Sequence, residues 1–197
     1  MDILKTKPEH PERWATSGLR IQNKEKKQAM LFDPVHSVID IEHIPNIGFC
    51  KDSVMQFFKS VDKRLGIPRV ARYGLRSTWL QEYEGNFQSL LEKCKHHIFG
   101  NSSLVEKVSD LGAVFDYYPE EGQKVEITTG PMTIEQLKSQ FLSFETESLP
   151  SVFLYVDIDV GDIATKEFSA QNLHSFFDKA IKEGERVSKE VMEQVIK

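Results

Sequence analysis

Residues Val152 to Val160 read Val-Phe-Leu-Tyr-Val-Asp-Ile-Asp-Val, and this run limits the fold more than any other feature of the chain. Val152, Leu154, Val156 and Ile158 fall on one side of a strand, and Tyr155, Asp157 and Asp159 fall on the other. A strand covered on both sides by helices reads as a near-continuous apolar run. Alternation instead marks a sheet with one face on a core and the other toward water or a partner.

The rest of the chain supplies helices for the apolar face. Asp52 to Leu65 carries Val54, Phe57, Phe58, Val61 and Leu65 at helical spacing, with Gly66 as the C′ residue. Asn86 to Phe99 puts Phe87, Leu90, Leu91, Cys94 and Ile98 on one stripe and closes at Gly100. Thr133-Ile134-Glu135-Gln136 is a capping box opening a third helix. Ser103 to Glu106 carries a similar pattern and reads as one or two turns. From Ser169 to Ile196 runs the longest helix, roughly 42 Å at 1.5 Å per residue. Its half beyond Gly184 is long enough to project toward a second subunit or to lie along the sheet, with Gly184 marking a bend or close packing.

Strand-like segments fill the gaps. Val35 to Ile44 alternates, with Val35, Ile39 and Ile41 opposite His36, Asp40 and Glu42. Ile67-Pro68 forces extended backbone and opens a strand from Arg69 to Leu80. Leu111 to Tyr118 and Lys124 to Thr129 form a hairpin around Pro119-Glu120-Glu121-Gly122. The order β-α-β-α-β-β-α-β-α predicts an α+β fold: a largely antiparallel sheet with helices packed on one face. Residues 1–28 are polar, hold Pro8 and Pro11, and end in a charged run, so they read as an N-terminal extension or arm. Residues 29–197 read as a single α+β domain.

Sorting by parity collects charge on the outer face: Asp40 and Glu42; Arg72, Gly74, Arg76 and Thr78; Asp116, Tyr118, Lys124, Glu126 and Thr128; Tyr155, Asp157 and Asp159. Arg72 and Arg76 flank Gly74 on one side of a strand. Guanidinium groups match phosphate and carboxylate geometry, so Arg72, Gly74 and Arg76 are a candidate site for a small anion or nucleotide. The alternative is that both arginines pair with aspartates across neighbouring strands. Asp157, Asp159 and Asp162 form D-x-D-x-x-D, a candidate oxygen-ligand set for Mg²⁺ or Ca²⁺ and hence for phosphoryl transfer. Asp is also common at strand ends for local backbone reasons.

Other chemistry lacks a foothold. Walker A, Rossmann, H-E-x-x-H and G-x-S-x-G patterns are missing, so no cofactor and no catalytic residue are expected. His96 and His97 are neighbours on a helix and point apart, which suits a helix C-terminus better than a metal. His36 beside Asp40 is a weak candidate base. The two cysteines, Cys50 and Cys94, lack metal-type spacing, so reduced thiols and a cytoplasmic location are expected. No apolar run reaches the roughly 20 residues a membrane span needs. A net charge of −5 disfavours nucleic acid as a partner.

At Arg72-Tyr73-Gly74-Leu75-Arg76, Val156-Asp157-Ile158-Asp159-Val160 and the helix from Ser169, the chain resembles a sporadically distributed family of uncharacterised prokaryotic proteins. The resemblance covers about Met30 to the C-terminus, and departs at Ser77 to Trp79. It implies a prokaryotic origin and a mobile or defence-associated gene setting, and it implies no reaction. Three functions are therefore expected, in this order: a non-catalytic binding or accessory subunit that meets a protein partner or a second copy through the polar sheet face or the last helix; a small-anion binder at Arg72, Gly74 and Arg76; a metal-dependent phosphoryl-transfer enzyme at Asp157, Asp159 and Asp162.

Overall fold

A computed structural model describes residues 2–5, 19–32, 37–42, 47–100, 105–142, 149–163 and 166–196. These fall into two compact units, residues 1–66 with 142–145, and residues 67–141 with 146–197. The class is α+β, and every strand pairing among the described residues is antiparallel.

The first unit is a meander of β1 (Asp2–Lys5), β2 (Leu19–Asn23), β3 (Gln28–Phe32) and β4 (Ser37–Ile41), followed by α1 (Ile47–Leu65). Strands β1 and β2 lie inside the segment that composition reads as an extension, and the units divide after Gly66. Leu19 and Ile21 alternate with Arg20 and Gln22, which suits a strand of five residues as well as it suits an arm. The charged run Lys24 to Lys27 is the β2–β3 turn, where the Lys26 amide donates to Asn23 Oδ1 at 3.2 Å and Lys27 adopts a φ of 48°. Gly66 ends α1 with a φ of 60°, its amide donating to the Asp62 carbonyl at 2.7 Å, as a C′ glycine does. His36 and the start of the Ser103 turn lie outside the described residues.

The second unit holds a sheet in the order β6 (Tyr73–Glu82), β9 (Val152–Asp162), β8 (Gln123–Thr133), β7 (Ala113–Tyr117). A two-stranded pair, β5 (Arg69–Val70) with β10 (Lys166–Glu167), completes it. The strand of this sheet that comes last in sequence, β9, is thus central, bonded to β6 on one side and β8 on the other. Helices α2 (Phe87–Phe99) and α4 (Ala170–Ile196) cover the side of β9 that carries Leu154, Val156, Ile158 and Val160, which are almost completely buried. Each such side chain contributes about 1.5–3 kcal/mol of transfer free energy.

The helix signals behave as their chemistry dictates. Asn86 caps α2 by accepting from the Ser89 amide at 2.9 Å. Thr133 and Gln136 form the reciprocal capping box of α3 (Ile134–Gln140). The far half of α4 lies along the unit, not away from it. Val187 and Ser188 are buried, and Val195 joins Leu90, Cys94, Val152 and Leu154 in one core cluster. Gly184 is the close-packing point: a Cβ there would come within 3.3 Å of Ser77 Oγ and 3.7 Å of Trp79 Nε1.

Candidate functional site

Register, set by the alternation in β6, β8 and β9, brings the charged residues of unit two onto one face. Asp159 lies between Arg76 and Glu126, and Asp157 lies between Thr78 and Thr128. Lys124 sits beside Gly161, and Asp116 sits beside Glu126 on the outermost strand. Asp40 and Glu42 do not share this face, because β4 belongs to the sheet of the other unit.

Arg72 precedes β6 and folds back over it. Its Nη2 donates to both carboxylate oxygens of Asp159, at 2.7 and 2.8 Å. To get there its side chain crosses Gly74 and Gly161, which are register partners. A Cβ on Gly74 would lie 3.2 Å from the Arg72 Cζ, and one on Gly161 would lie 2.8 Å from its Nε. The space that Gly74 leaves is therefore filled by the chain's own arginine.

Arg76 takes the other aspartate. Its Nε and Nη2 donate to Asp157 Oδ2 at 2.8 and 2.6 Å, and the Thr78 hydroxyl donates to Oδ1 at 2.8 Å. Asp157 is only 5% exposed, so these three donors satisfy a carboxylate that water barely reaches. Arg76 is mostly exposed, at 66% of its side chain. Donation to Asp157 is the largest influence holding the Arg76 guanidinium still more firmly protonated than usual. Phe141, the C-cap residue of α3, folds over this end of the face. Its ring centroid is 6.0 Å from the Arg76 guanidinium carbon and 5.9 Å from the Tyr155 ring.

The ladder continues outward. Lys124 Nζ donates to Glu126 at 3.0 Å and lies 3.2 Å from Asp116, and these bonds, Glu126 first, raise the lysine's affinity for its proton. Three cations, Arg72, Arg76 and Lys124, thus meet four anions, Asp116, Glu126, Asp157 and Asp159, in a face that is nearly self-neutral.

The D-x-D-x-x-D aspartates do not converge. Asp157 and Asp159 lie on the charged face, whereas Asp162 has the opposite parity in an unbroken strand and pairs in register with Tyr73. Among the described residues no group of three or more His, Cys, Asp or Glu is arranged to hold a metal. Both cysteines are free and buried, and burial pushes both thiols up, Cys94 to about 11, so neither is poised as a nucleophile. Among the described residues no helix is long and apolar enough to cross a membrane.

Two features of the sheet escaped the sequence. Phe141 falls on the apolar stripe of α3 and gives no hint that it turns onto the charged face. Strand β7 reads as half of a hairpin, yet among the described residues it is a sheet edge, with Val114 64% and Phe115 48% exposed. A strand with no Lys, Arg or Pro among residues 113–117 was the available signal. Compared with known proteins, no family model matches the chain, and no curated protein or solved structure is similar enough to match.

Proposed function

We propose that this chain is a non-catalytic binding or accessory subunit that meets a protein partner through the sheet of its second unit. The observation that carries the reading is the pairwise neutralisation of Arg72 by Asp159 and of Arg76 by Asp157. Groups that could do chemistry, or hold a charged small molecule, are matched to one another. What remains is a rigid mosaic of alternating charge, the kind of surface that sets partner choice and register more than raw affinity. Because α4 is packed inward to Val195, the sheet is favoured over the last helix as the contact. By the resemblance noted above, the partner belongs to a prokaryotic, mobile or defence-associated system.

The test is native mass spectrometry of the chain isolated from its own cells, as wild type and as Arg76→Glu/Lys124→Glu. A stoichiometric protein partner, retained by wild type and lost in the folded double variant, supports the reading. A retained small molecule in place of a protein, or partner binding indifferent to the charge reversal, overturns it.

A second reading has its own observation. Arg72 spends one nitrogen on Asp159 and Arg76 spends two on a single oxygen, and both guanidinium groups reach solvent. An anion able to displace the aspartates would find two forks on one face. If so, inorganic phosphate raises the melting temperature of wild type and not of Arg76→Ala. Equal behaviour of the two removes this reading.

A further inference from the structure

Strand β7 ends the sheet, and among the described residues it pairs only with β8. An edge strand presents unpaired N–H and C=O groups, and proteins normally blunt such edges with lysine, proline or a bulge. Ala113-Val114-Phe115-Asp116-Tyr117 has none of these, and its register with β8 is continuous. Its two neighbouring apolar side chains point to opposite faces and are both exposed. Val114 lies on the charged face opposite Thr128, and Phe115 lies on the helix side opposite Ile127. Beyond the strand, Tyr118 is 67% exposed.

The edge is also held in place. The Tyr117 hydroxyl donates to Glu183 of α4 and accepts from Arg186 Nη2 at 3.1 Å, which fixes the end of β7 against the helix. The turn behind it is closed by the Gln123 amide donating to the Glu120 carbonyl at 3.1 Å, with Gly122 at a φ of 78°. Such an edge is ordered before anything binds, so an added strand does not bear the cost of forming it.

Charge indicates what kind of strand fits. Residues 108–123 contain four acids, Asp110, Asp116, Glu120 and Glu121, and no lysine or arginine. Lys124 and Lys179 reach two of them, Asp116 at 3.2 Å and Glu120 at 3.1 Å, and Lys124 is shared with Glu126, so four acids meet two lysines and the edge stays net acidic. A second copy would bring the same acids against themselves on a chain of net charge −5. An added strand places alternate residues on the two faces, beside Asp116 on one and beside Phe115 on the other.

We propose that the β7 edge, at Val114, Phe115 and Asp116, accepts an extended partner segment that alternates basic and apolar residues and adds to the sheet as a further strand. The proposal rests on the reading of this sheet as a protein-binding surface, but uses its edge and not its charged face.

The probe is the peptide Lys-Val-Lys-Val-Lys-Val-Lys, with Glu-Val-Glu-Val-Glu-Val-Glu as its control, and the readout is amide hydrogen exchange on the full chain. The basic peptide is expected to slow exchange across residues 113–117, saturably and more weakly at high salt, while the acidic one does not. Val114→Lys, at a position open enough to leave the fold intact, should weaken this at least tenfold, and Phe115→Lys should repeat the effect from the other face. Lys189→Glu, at an exposed position of α4 outside both surfaces, should leave it within twofold. The proposal is overturned by no protection, by protection elsewhere, by a full effect in Val114→Lys, or by a tenfold loss in Lys189→Glu. A wild-type dimer that dissociates in Val114→Lys also overturns it, by giving the edge to a second copy. If the peptide fails while Arg76→Glu/Lys124→Glu still loses its cellular partner, the edge is refuted and the charged-face reading stands.

Discussion

Gly184 of α4 rests against the indole of Trp79, with 3.7 Å from Trp79 Nε1 to where a Cβ would sit. That indole is itself held by donating to Ser77 Oγ at 3.0 Å, so the neighbour has little room to give. Replacing a helix-interior glycine by alanine ordinarily gains about 0.5–1 kcal/mol. Here the 3.3 Å approach to Ser77 Oγ offsets that gain, and Gly184→Ala is expected within about 1 kcal/mol of wild type. Gly184→Leu must push the helix off the sheet and should cost at least about 2–3 kcal/mol. Urea denaturation of the two variants checks the contrast; equal stability would mean that α4 is not seated on β6 as described.

Two other glycines separate rigid from yielding neighbours. A Cβ on Gly130 would lie 2.2 Å from the Leu111 carbonyl oxygen, a backbone atom. At Gly161 the obstacle is the Arg72 side chain, which can swing into water. Gly130→Ala should therefore destabilise by about 3 kcal/mol or more, and Gly161→Ala by under about 1 kcal/mol while releasing Arg72 from Asp159. Thermal melts of the two variants give the order directly.

Asp157 and Asp159 look alike in sequence and differ in burial. Removing the Arg76 guanidinium leaves the buried Asp157 carboxylate with the Thr78 hydroxyl alone, so Arg76→Ala should cost about 2–3 kcal/mol. Asp159→Ala breaks a pair that is partly in solvent and should cost under about 1 kcal/mol. A double-mutant cycle on Arg76 and Asp157 should show coupling well above that of Arg72 and Asp159.

Tyr117 gives a pH signature. Burial first, and then its hydrogen bond to Glu183, raise its pKa from an ordinary 10.0 to about 12. The folded state thus binds this proton more tightly than the unfolded chain does. The stabilisation is complete below pH 10 and is lost as pH rises from 10 through about 12. Wild type should lose stability over that interval more steeply than Tyr117→Phe, as followed by circular dichroism in alkaline titration.

Truncation after Gly184 should abolish cooperative unfolding, because it removes Val187, Ser188 and Val195 from the core. A shortened chain that melted normally would show the end of α4 to be dispensable.

Local chemistry was the legible part. The Thr133 capping box and the Gly66 terminus depend on a few adjacent residues, and the parity of β9 depends on nine. Pairing of the arginines with aspartates was one of two arrangements that parity allowed. What alternation could not give was strand order, which rests on contacts far apart in sequence. It therefore grouped Asp40 with Arg76, although they belong to different sheets, and left β7 without its edge. Arg72 lies outside β6, so its place over Gly74 follows from a side chain folding back and not from strand alternation.

The central position of β9 also sets the order of events at birth. Arg76 leaves the ribosome 81 residues ahead of Asp157, and neither β6 nor the β7–β8 hairpin has its inner neighbour until then. At about 5–20 residues per second, β6 spends on the order of several seconds unpaired during synthesis. The nascent chain would offer two incomplete sheet edges over that interval, before the strand that pairs with both of them exists.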